Sequence, residues 1–214
     1  MLISICIPTY NRPENLLNCL NSLSLQTNKN FEVCISDNCS DHDIKKIIEP
    51  FKEKLNIKFS KNEKNLGAAL NFLKVASMSE SEFIWFLGDD DLLIPSAIDE
   101  ITKLIKVNPD CDFYWINSSH LDNNYLKNFN RPFNTKFLPE NMQKLSSLNE
   151  DKKLIFFDLI KHKIAFDYLL GVFVCVFRRE GWKNNLHVID YEKIKDKESW
   201  SNFENTCFHI KIFC

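Results

Sequence analysis

The 214-residue chain is 44% hydrophobic and carries a formal net charge of −2, with acidic and basic residues mixed along its length. This size suits one domain, or one domain with a small appendage, because domains usually hold about 100–200 residues. The mixed charge argues against a basic nucleic-acid surface, and no apolar run reaches the ~18 residues that a membrane span needs. The first residues also lack the pattern of a signal peptide.

The eight cysteines contain no CxxC pair, and several of them lie inside apolar runs. This pattern predicts buried thiols in a reducing cytoplasm and not a framework of disulfides.

Short apolar runs alternate with helical patterns over the first half of the chain. Strands are predicted at 2–8, 31–36, 57–61, 82–87 and 112–117, and helices at 13–26, 44–51, 65–78 and 97–106. Pro13 suits a first helical turn, Ser96 is predicted to cap the fourth helix, and Leu66, Leu70 and Leu73 share one face of the third. The alternation favours an α/β fold with a mainly parallel central sheet flanked by helices.

Polar clusters directly follow three of these strands. They read TYNR after the first strand, DNCSD after the second and GDDD after the fourth. Because parallel sheets bind ligands at the carboxyl ends of their strands, the three loops predict one functional site at that edge.

The run of Asp89, Asp90 and Asp91 after Gly88 is the strongest chemical signal. Adjacent carboxylates repel one another, and hard divalent cations prefer oxygen ligands, with Mg²⁺ usually taking one or two carboxylates plus substrate phosphates. Gly88 allows a tight turn or the close approach of a ligand. The alternative is a solvated loop in which one aspartate caps the next helix, but the buried strand before the run favours a cation that binds a diphosphate.

The second half of the chain is less regular. Residues 123–141 form a polar stretch longer than the ~12–15 residues of ordinary loops, which favours a functional flap or a partly disordered segment. A helix is predicted at 151–162, a strand at 171–179 and the start of a helix at 201–213. The chain stops at Cys214 within an apolar run, so we expect it to be part of a longer protein.

Four blocks of the sequence together resemble the family 2 glycosyltransferases of the GT-A fold. They are ISICIPTYNRPENLLNCLNSLSLQT, FEVCISDNCSD, NLGAALNF and FIWFLGDDDLLIP, in that order and spacing. The resemblance covers residues 2–117, and GVFVCVFRREGW is similar to the later strand and helix on the acceptor side. It implies that residues 1–117 bind a nucleotide sugar and that residues 118–214 form the acceptor-side half, truncated at its C-terminus.

The resemblance implies roles for residues at the three loops. Asp89 or Asp90 would contact the ribose, Asp91 would bind Mn²⁺ or Mg²⁺, and Asp37 would accept the N3–H of uracil or thymine. The other residues expected along the nucleotide and sugar are Pro8, Thr9, Tyr10, Arg12, Asn65, Gly67 and Asn71.

The sequence departs from the family pattern at three places. Ser36 stands where members often have a first aspartate, Leu70 stands where they often have arginine, and the acceptor-side acid pair is not evident. An inverting transfer needs a positioned base for the acceptor hydroxyl, and Glu204 or Glu198 is the candidate. For both, an ordinary carboxylate near a helix start is the alternative.

The function implied by the resemblance is a metal-dependent, inverting transfer from a UDP- or dTDP-sugar. The expected acceptor is a saccharide or a lipid-linked glycan in the synthesis of lipopolysaccharide, lipooligosaccharide or capsule. The expected location is the cytoplasm, with peripheral association at the inner face of the membrane and no nucleic-acid partner. The alternatives are a nucleotidyltransferase, disfavoured because no Gly-rich loop follows the first strand, and a nucleotide-sugar-binding domain with impaired catalysis.

Overall fold

The computed structural model describes residues 1–121, 127–128, 130–139, 142–145, 150–154, 172–189 and 191. Its strands are β1 (Ile3–Thr9), β2 (Phe31–Asp37), β3 (Asn56–Lys61), β4 (Phe83–Phe86), β5 (Phe113–Trp115), β6 (Ser119–His120), β7 (Gln143–Lys144) and β8 (Cys175–Arg178). Its α-helices are α1 (Pro13–Ser24), α2 (Ile44–Ile48), α3 (Ala68–Ser77), α4 (Ala97–Val107) and α5 (Arg179–Asn185). Single 3₁₀ turns span Glu49–Phe51, Val172–Val174 and Leu186–Val188.

The central sheet has six strands in the order β3-β2-β1-β4-β8-β5. The pairs β1–β2, β2–β3 and β1–β4 are parallel, whereas β8 pairs antiparallel with both β4 and β5. The fold is therefore α/β with a mainly parallel central sheet, as the alternation of strands and helices predicts. The strand before the aspartates is β4, and all four of its residues are buried, as in a strand that is covered on both faces.

The buried side chains of helix α3 are mostly small, and two of its leucines pack beside them. Ala69, Val75 and Ala76 are buried, Leu70 and Leu73 are partly buried against the same cluster, and Leu66 precedes the helix. Small side chains let the helix backbone approach the sheet closely.

The two helix-start predictions have different outcomes. Pro13 is the first residue of α1, as predicted. Ser96 holds the N-cap position of α4 but makes no capping bond to the backbone, because its hydroxyl donates to the Glu100 carboxylate instead. The prediction that Ser96 caps the helix through its side chain is therefore wrong.

A buried carboxylate ties the sheet together at the amino end of β2. Glu32 is fully buried, and it accepts hydrogen bonds from the Ser4 hydroxyl and from the backbone N–H groups of Glu80 and Ser81. Its second oxygen lies 2.8 Å from the Lys58 ammonium. Burial alone would raise the pKa of Glu32, but the hydrogen bonds, that from Lys58 first, lower the pKa to about 2.

Residues beyond position 117 pack directly on the first half of the chain. Strand β8 inserts between β4 and β5. Phe133 is buried against α1, where its N–H donates to the Asn18 side chain and its carbonyl accepts from the Asn21 amide. Both halves therefore contribute to one packed unit around α1 and the sheet.

Several predictions fall outside the described residues. They are the helix predicted at 151–162 beyond residue 154, the helix start at 201–213, and the candidate bases Glu198 and Glu204; residues 151–154 are described and are not helical. The six described cysteines are free, and four of them are buried, as expected. None of the helices in the described ranges has both the length and the apolar character of a membrane span.

Candidate functional site

The loops after β1 and β2 are joined by direct hydrogen bonds at the carboxyl edge of the sheet. Asn11 adopts a left-handed conformation with a φ of 54°. Its side chain donates to the Asp41 carboxylate, the Asp41 N–H donates back to the Asn11 side chain, and the Asn11 N–H donates to the Ser40 hydroxyl. This reciprocal bonding fixes one loop against the other before any ligand binds.

The loops after β1 and β4 are joined through Asp89. This side chain is buried, and it accepts a hydrogen bond of 2.7 Å from the Thr9 hydroxyl. The Arg12 guanidinium reaches across to Asp89 at 3.3 Å and to Asp90 at 3.0 Å. The pKa of Asp89 is nevertheless raised, because burial raises it more than the Thr9 hydrogen bond and the Arg12 charge lower it. The pKa of Arg12 is raised in turn, mainly by Asp89.

Asp91 is the acid of the triplet that Arg12 does not reach. One of its oxygens accepts the Gly88 N–H at 2.8 Å. Burial, together with the charges of Asp90 and Asp89, raises its pKa to about 6, and no cationic side chain in the described part of the chain offsets that rise. Asp91 is therefore the carboxylate whose charge most needs compensation.

The Asp90 and Asp91 carboxylates lie close to the position that a side chain at residue 88 would occupy. A Cβ placed on Gly88 would lie 2.7 Å from an oxygen of Asp90 and 2.7 Å from an oxygen of Asp91. Only a residue without a side chain fits there while both carboxylates keep these positions.

The donor set at the triplet fits a hard cation that a ligand helps to bind. Within the described ranges, no group of three or more His, Cys, Asp or Glu side chains forms a metal cage. Mg²⁺-type ions do not require one, because they are commonly held by one or two carboxylates plus substrate phosphates. Asp90 and Asp91 supply such oxygens beside Gly88, and the raised pKa of Asp91 marks a carboxylate that a cation would stabilise in its charged form.

Asp37 is the last residue of β2 and is completely buried. One of its oxygens accepts the Ser40 N–H at 2.9 Å, while the other has no hydrogen-bond partner in the described structure. A buried carboxylate oxygen without a partner is unfavourable, since desolvation of a charge is costly unless it is hydrogen-bonded. This oxygen is therefore available to a donor group of a ligand.

An amide network that the sequence analysis did not identify supports the loop after β3. Asn38 is buried, and its side-chain nitrogen donates to the Asn65 side chain and to the Gly67 carbonyl. Its side-chain oxygen accepts from the Asn62 amide and from the Leu66 N–H. The only sequence signal is the abundance of asparagine in three separate segments, which does not reveal that they meet.

The predicted residues Asn65, Gly67 and Asn71 all belong to this network or border it. Asn65 accepts bonds from Asn38 and from the Gly67 N–H, and Gly67 begins α3 with a φ of 85° that only glycine adopts easily. Asn71 is buried, and its amide bonds to Ser36 and to Asn62. Ser36, which stands where family members often have an aspartate, therefore bonds β2 to α3.

The remaining predicted residues have simpler surroundings. Pro8 lies half-buried in β1, and Tyr10 is exposed in the loop that follows. The structure thus brings the predicted residues of all three polar loops to one edge of the sheet. It also adds Asn38, Asn62 and Lys61, which the sequence analysis missed.

A comparison with protein families matches residues 4–163 to the family described as Glycosyl transferase family 2. Among curated proteins, the chain is 40% identical over 102 residues to the abequosyltransferase RfbV of Salmonella typhimurium, a match that covers 46% of this chain and 31% of that protein. It is 29% identical over 247 aligned positions to an uncharacterized glycosyltransferase of Methanocaldococcus jannaschii, covering 99% of this chain and 85% of that protein.

Solved structures show the same fold. A crystal structure of residues 1–349 of Staphylococcus aureus TarS in complex with UDP has a TM-score of 0.74 and 23% identity, and the match covers 100% of this chain and 55% of that chain. The chain therefore spans about a third of the abequosyltransferase and about half of this TarS structure.

Proposed function

The chain belongs to glycosyl transferase family 2, and we propose that it transfers a sugar from a nucleotide diphosphate sugar to a glycan acceptor. The observation that supports the proposal most is that the Asp37 oxygen without a hydrogen bond lies at the same sheet edge as the carboxylates of Asp89, Asp90 and Asp91. A sugar-nucleotide donor needs two features in its binding site. One is a hydrogen-bond acceptor for the base, and the other is a set of oxygen ligands for a cation near the diphosphate.

The donor in this proposal is a UDP- or dTDP-sugar. A carboxylate only accepts hydrogen bonds, and the N3–H of uracil or thymine is a ring donor that the Asp37 oxygen could accept. Asp89 and Asp90 would contact the ribose, while Pro8, Thr9 and Tyr10 would lie along the nucleotide. Arg12 is exposed enough to turn towards a phosphate from its present bond with Asp90.

In the proposal, Asp91 holds a divalent cation, and Asp90 borders the same space. When bound, Mn²⁺ or Mg²⁺ would stabilise the negative charge of the departing diphosphate. The contribution of the chain is to orient the donor through three loops that are already bonded to one another, so that little ordering is needed on binding.

The acceptor side is proposed to lie in residues 118–214, and an inverting transfer would require a base there. A positioned carboxylate would take the proton of the acceptor hydroxyl as it attacks the sugar. Glu204 and Glu198 remain the candidates from the sequence, and both lie outside the described residues.

The names of relatives support a role in the assembly of surface glycans. One relative is named as an abequosyltransferase, and another, a TarS protein of Staphylococcus aureus, is named as a poly(ribitol-phosphate) β-N-acetylglucosaminyltransferase. We therefore propose a saccharide or lipid-linked acceptor, with the cytoplasmic face of a membrane as the place of reaction.

The test combines a ligand-binding assay with the Asp91→Asn variant. Ligand that binds the native state raises its melting temperature, so UDP or dTDP should raise the melting temperature of the wild type more with Mn²⁺ than without it. Asp91→Asn should remove this metal-dependent part. Asp43→Asn, at an exposed residue before α2, is the matched control and should respond as the wild type does.

Turnover separates an enzyme from a binding domain. We expect release of UDP from a suitable UDP-sugar in the presence of Mn²⁺, and its loss in Asp91→Asn. A wild-type protein that binds no nucleoside diphosphate in either condition would contradict the proposal. Binding without any release, across a panel of UDP- and dTDP-sugars with glycan acceptors, would support the catalytically impaired alternative.

A further inference from the structure

Lys61 stands beside Asp37 at the carboxyl edge of the sheet. The two residues are register partners at the ends of β3 and β2, and the Lys61 ammonium lies 3.8 Å from the partnerless oxygen of Asp37. This separation is too long for a hydrogen bond. The ammonium instead donates to the Ser40 carbonyl at 2.7 Å.

The two groups differ in their access to a ligand. The Asp37 side chain is 0% exposed, whereas the Lys61 side chain is 46% exposed. A lysine ammonium has three donor hydrogens on a flexible four-carbon stem. The bond to the Ser40 carbonyl uses one of these hydrogens, so the Lys61 ammonium can still donate to a ligand. The flexible stem also lets it move aside when a ligand reaches Asp37.

An acceptor next to a donor selects a particular kind of chemical edge. Asp37 requires an N–H, and Lys61 requires a lone pair, because a protonated lysine cannot accept. Uracil and thymine present an N–H flanked by a carbonyl, and guanine presents the same pair at N1 and O6. When adenine or cytosine occupies the position of uracil, its ring nitrogen accepts where uracil has its N–H, so it mismatches Asp37 in that position.

We infer that Lys61 is a specificity-determining residue that donates to a carbonyl oxygen of the donor nucleobase, beside the N–H that Asp37 accepts. This inference rests on the proposed function, because it takes the base of the sugar nucleotide as the ligand. It goes beyond that function by assigning base selection to an acceptor–donor pair on two neighbouring strands.

A purely structural Lys61 would act differently. Its ammonium would then only balance the charge of Asp37 and tie β3 to the loop at Ser40. Removing it would weaken the binding of every nucleotide to a similar extent, because the whole site would loosen. Base selectivity therefore distinguishes the two roles.

The experiment measures the binding of UDP and ADP, with Mn²⁺, by isothermal titration calorimetry to the full chain. Lys61→Met keeps the length of the side chain and removes its donor. Hydrogen bonds to charged groups are among the strong ones, so we expect UDP affinity to fall about tenfold and ADP affinity to change less than about threefold. Lys61→Arg, which retains a donor, should keep the preference for UDP.

Matched controls address folding and net charge. Lys45→Met removes one positive charge from an exposed position on α2 and should leave UDP binding unchanged. The melting temperature of each free variant shows whether it is folded. If the ratio of UDP affinity to ADP affinity in Lys61→Met equals that of the wild type, the inference on Lys61 is overturned. A wild type that binds neither nucleotide would instead overturn the proposed function.

Discussion

Replacing Gly88 by alanine places a methyl group against the carboxylates of Asp90 and Asp91. The new Cβ would lie 2.7 Å from an oxygen of Asp90 and 2.7 Å from an oxygen of Asp91, whereas ordinary contact begins at 3.4 Å. Each carboxylate must therefore retreat by about 0.7 Å. The Asp91 oxygen that retreats is also the one that accepts the Gly88 N–H at 2.8 Å.

The expected effect on stability is small and the expected effect on binding is large. Both displaced groups are side-chain ends that can rotate, so the main cost is one weakened hydrogen bond, about 1 kcal/mol in unfolding free energy. Ligands that must be held in a defined geometry are far more sensitive, since a shift of about 1 Å can cost on the order of 100-fold in rate. We expect at least a tenfold loss of Mn²⁺-dependent UDP affinity in Gly88→Ala.

The assay pairs urea unfolding with calorimetric titration of UDP in the presence of Mn²⁺. Gly181→Ala is the matched control, because the residue is inside α5 and, among the described residues outside its own helix, no atom lies within 4 Å of the added methyl group. Alanine is the better helix former by about 0.5–1 kcal/mol, so this control should be slightly more stable and bind normally. If Gly88→Ala binds UDP as tightly as the wild type does, the assignment of cation binding to the Asp90 and Asp91 carboxylates is refuted.

Two further predictions concern buried polar groups. The pKa of Glu32 is lowered to about 2, so the stability that its charge contributes is present above pH ~4.5 and is lost as the pH falls towards 2. Urea unfolding at pH 7 and pH 3 should therefore show the wild type losing about 2 kcal/mol more than Glu32→Gln, and parallel losses would contradict the low pKa. Asn38→Ala should cost about 2 kcal/mol, because it leaves buried partners unsatisfied. It should also speed hydrogen exchange at the Leu66 N–H, and unchanged protection there would show that the amide network does not hold this loop.

The local features of the fold were predictable because they depend on residues close together in the chain. Pro13 starts α1 and the apolar run of β4 is buried on both faces, and both follow from short patterns. Ser96 shows the limit of such reasoning. It is a good capping residue by type, but Glu100 one turn later competes for its hydroxyl, so no side-chain cap forms.

Pairing between distant segments could not be predicted from local patterns. Strand β8 lies some sixty residues beyond β5 in the chain, yet it inserts antiparallel between β4 and β5. The burial of α3 through Ala69 and Val75 depends equally on the surface below it, which no helical pattern contains. Hydrophobicity marks which residues can be buried, but not which of them face a neighbour closely.

By itself, the sequence determined the α/β class and the place of the candidate site, because alternating strands and helices bring the carboxyl ends of parallel strands to one edge. It also predicted that the aspartates there are the chemically active residues. Only the tertiary structure decided how their charges are balanced. Arg12 reaches Asp89 and Asp90, no cationic side chain of the described residues offsets the charge of Asp91, and Lys61 stands 3.8 Å from the Asp37 oxygen that has no hydrogen bond. These differences arise from distances of a few ångströms between segments far apart in the chain, and electrostatic and hydrogen-bond energies depend on those distances.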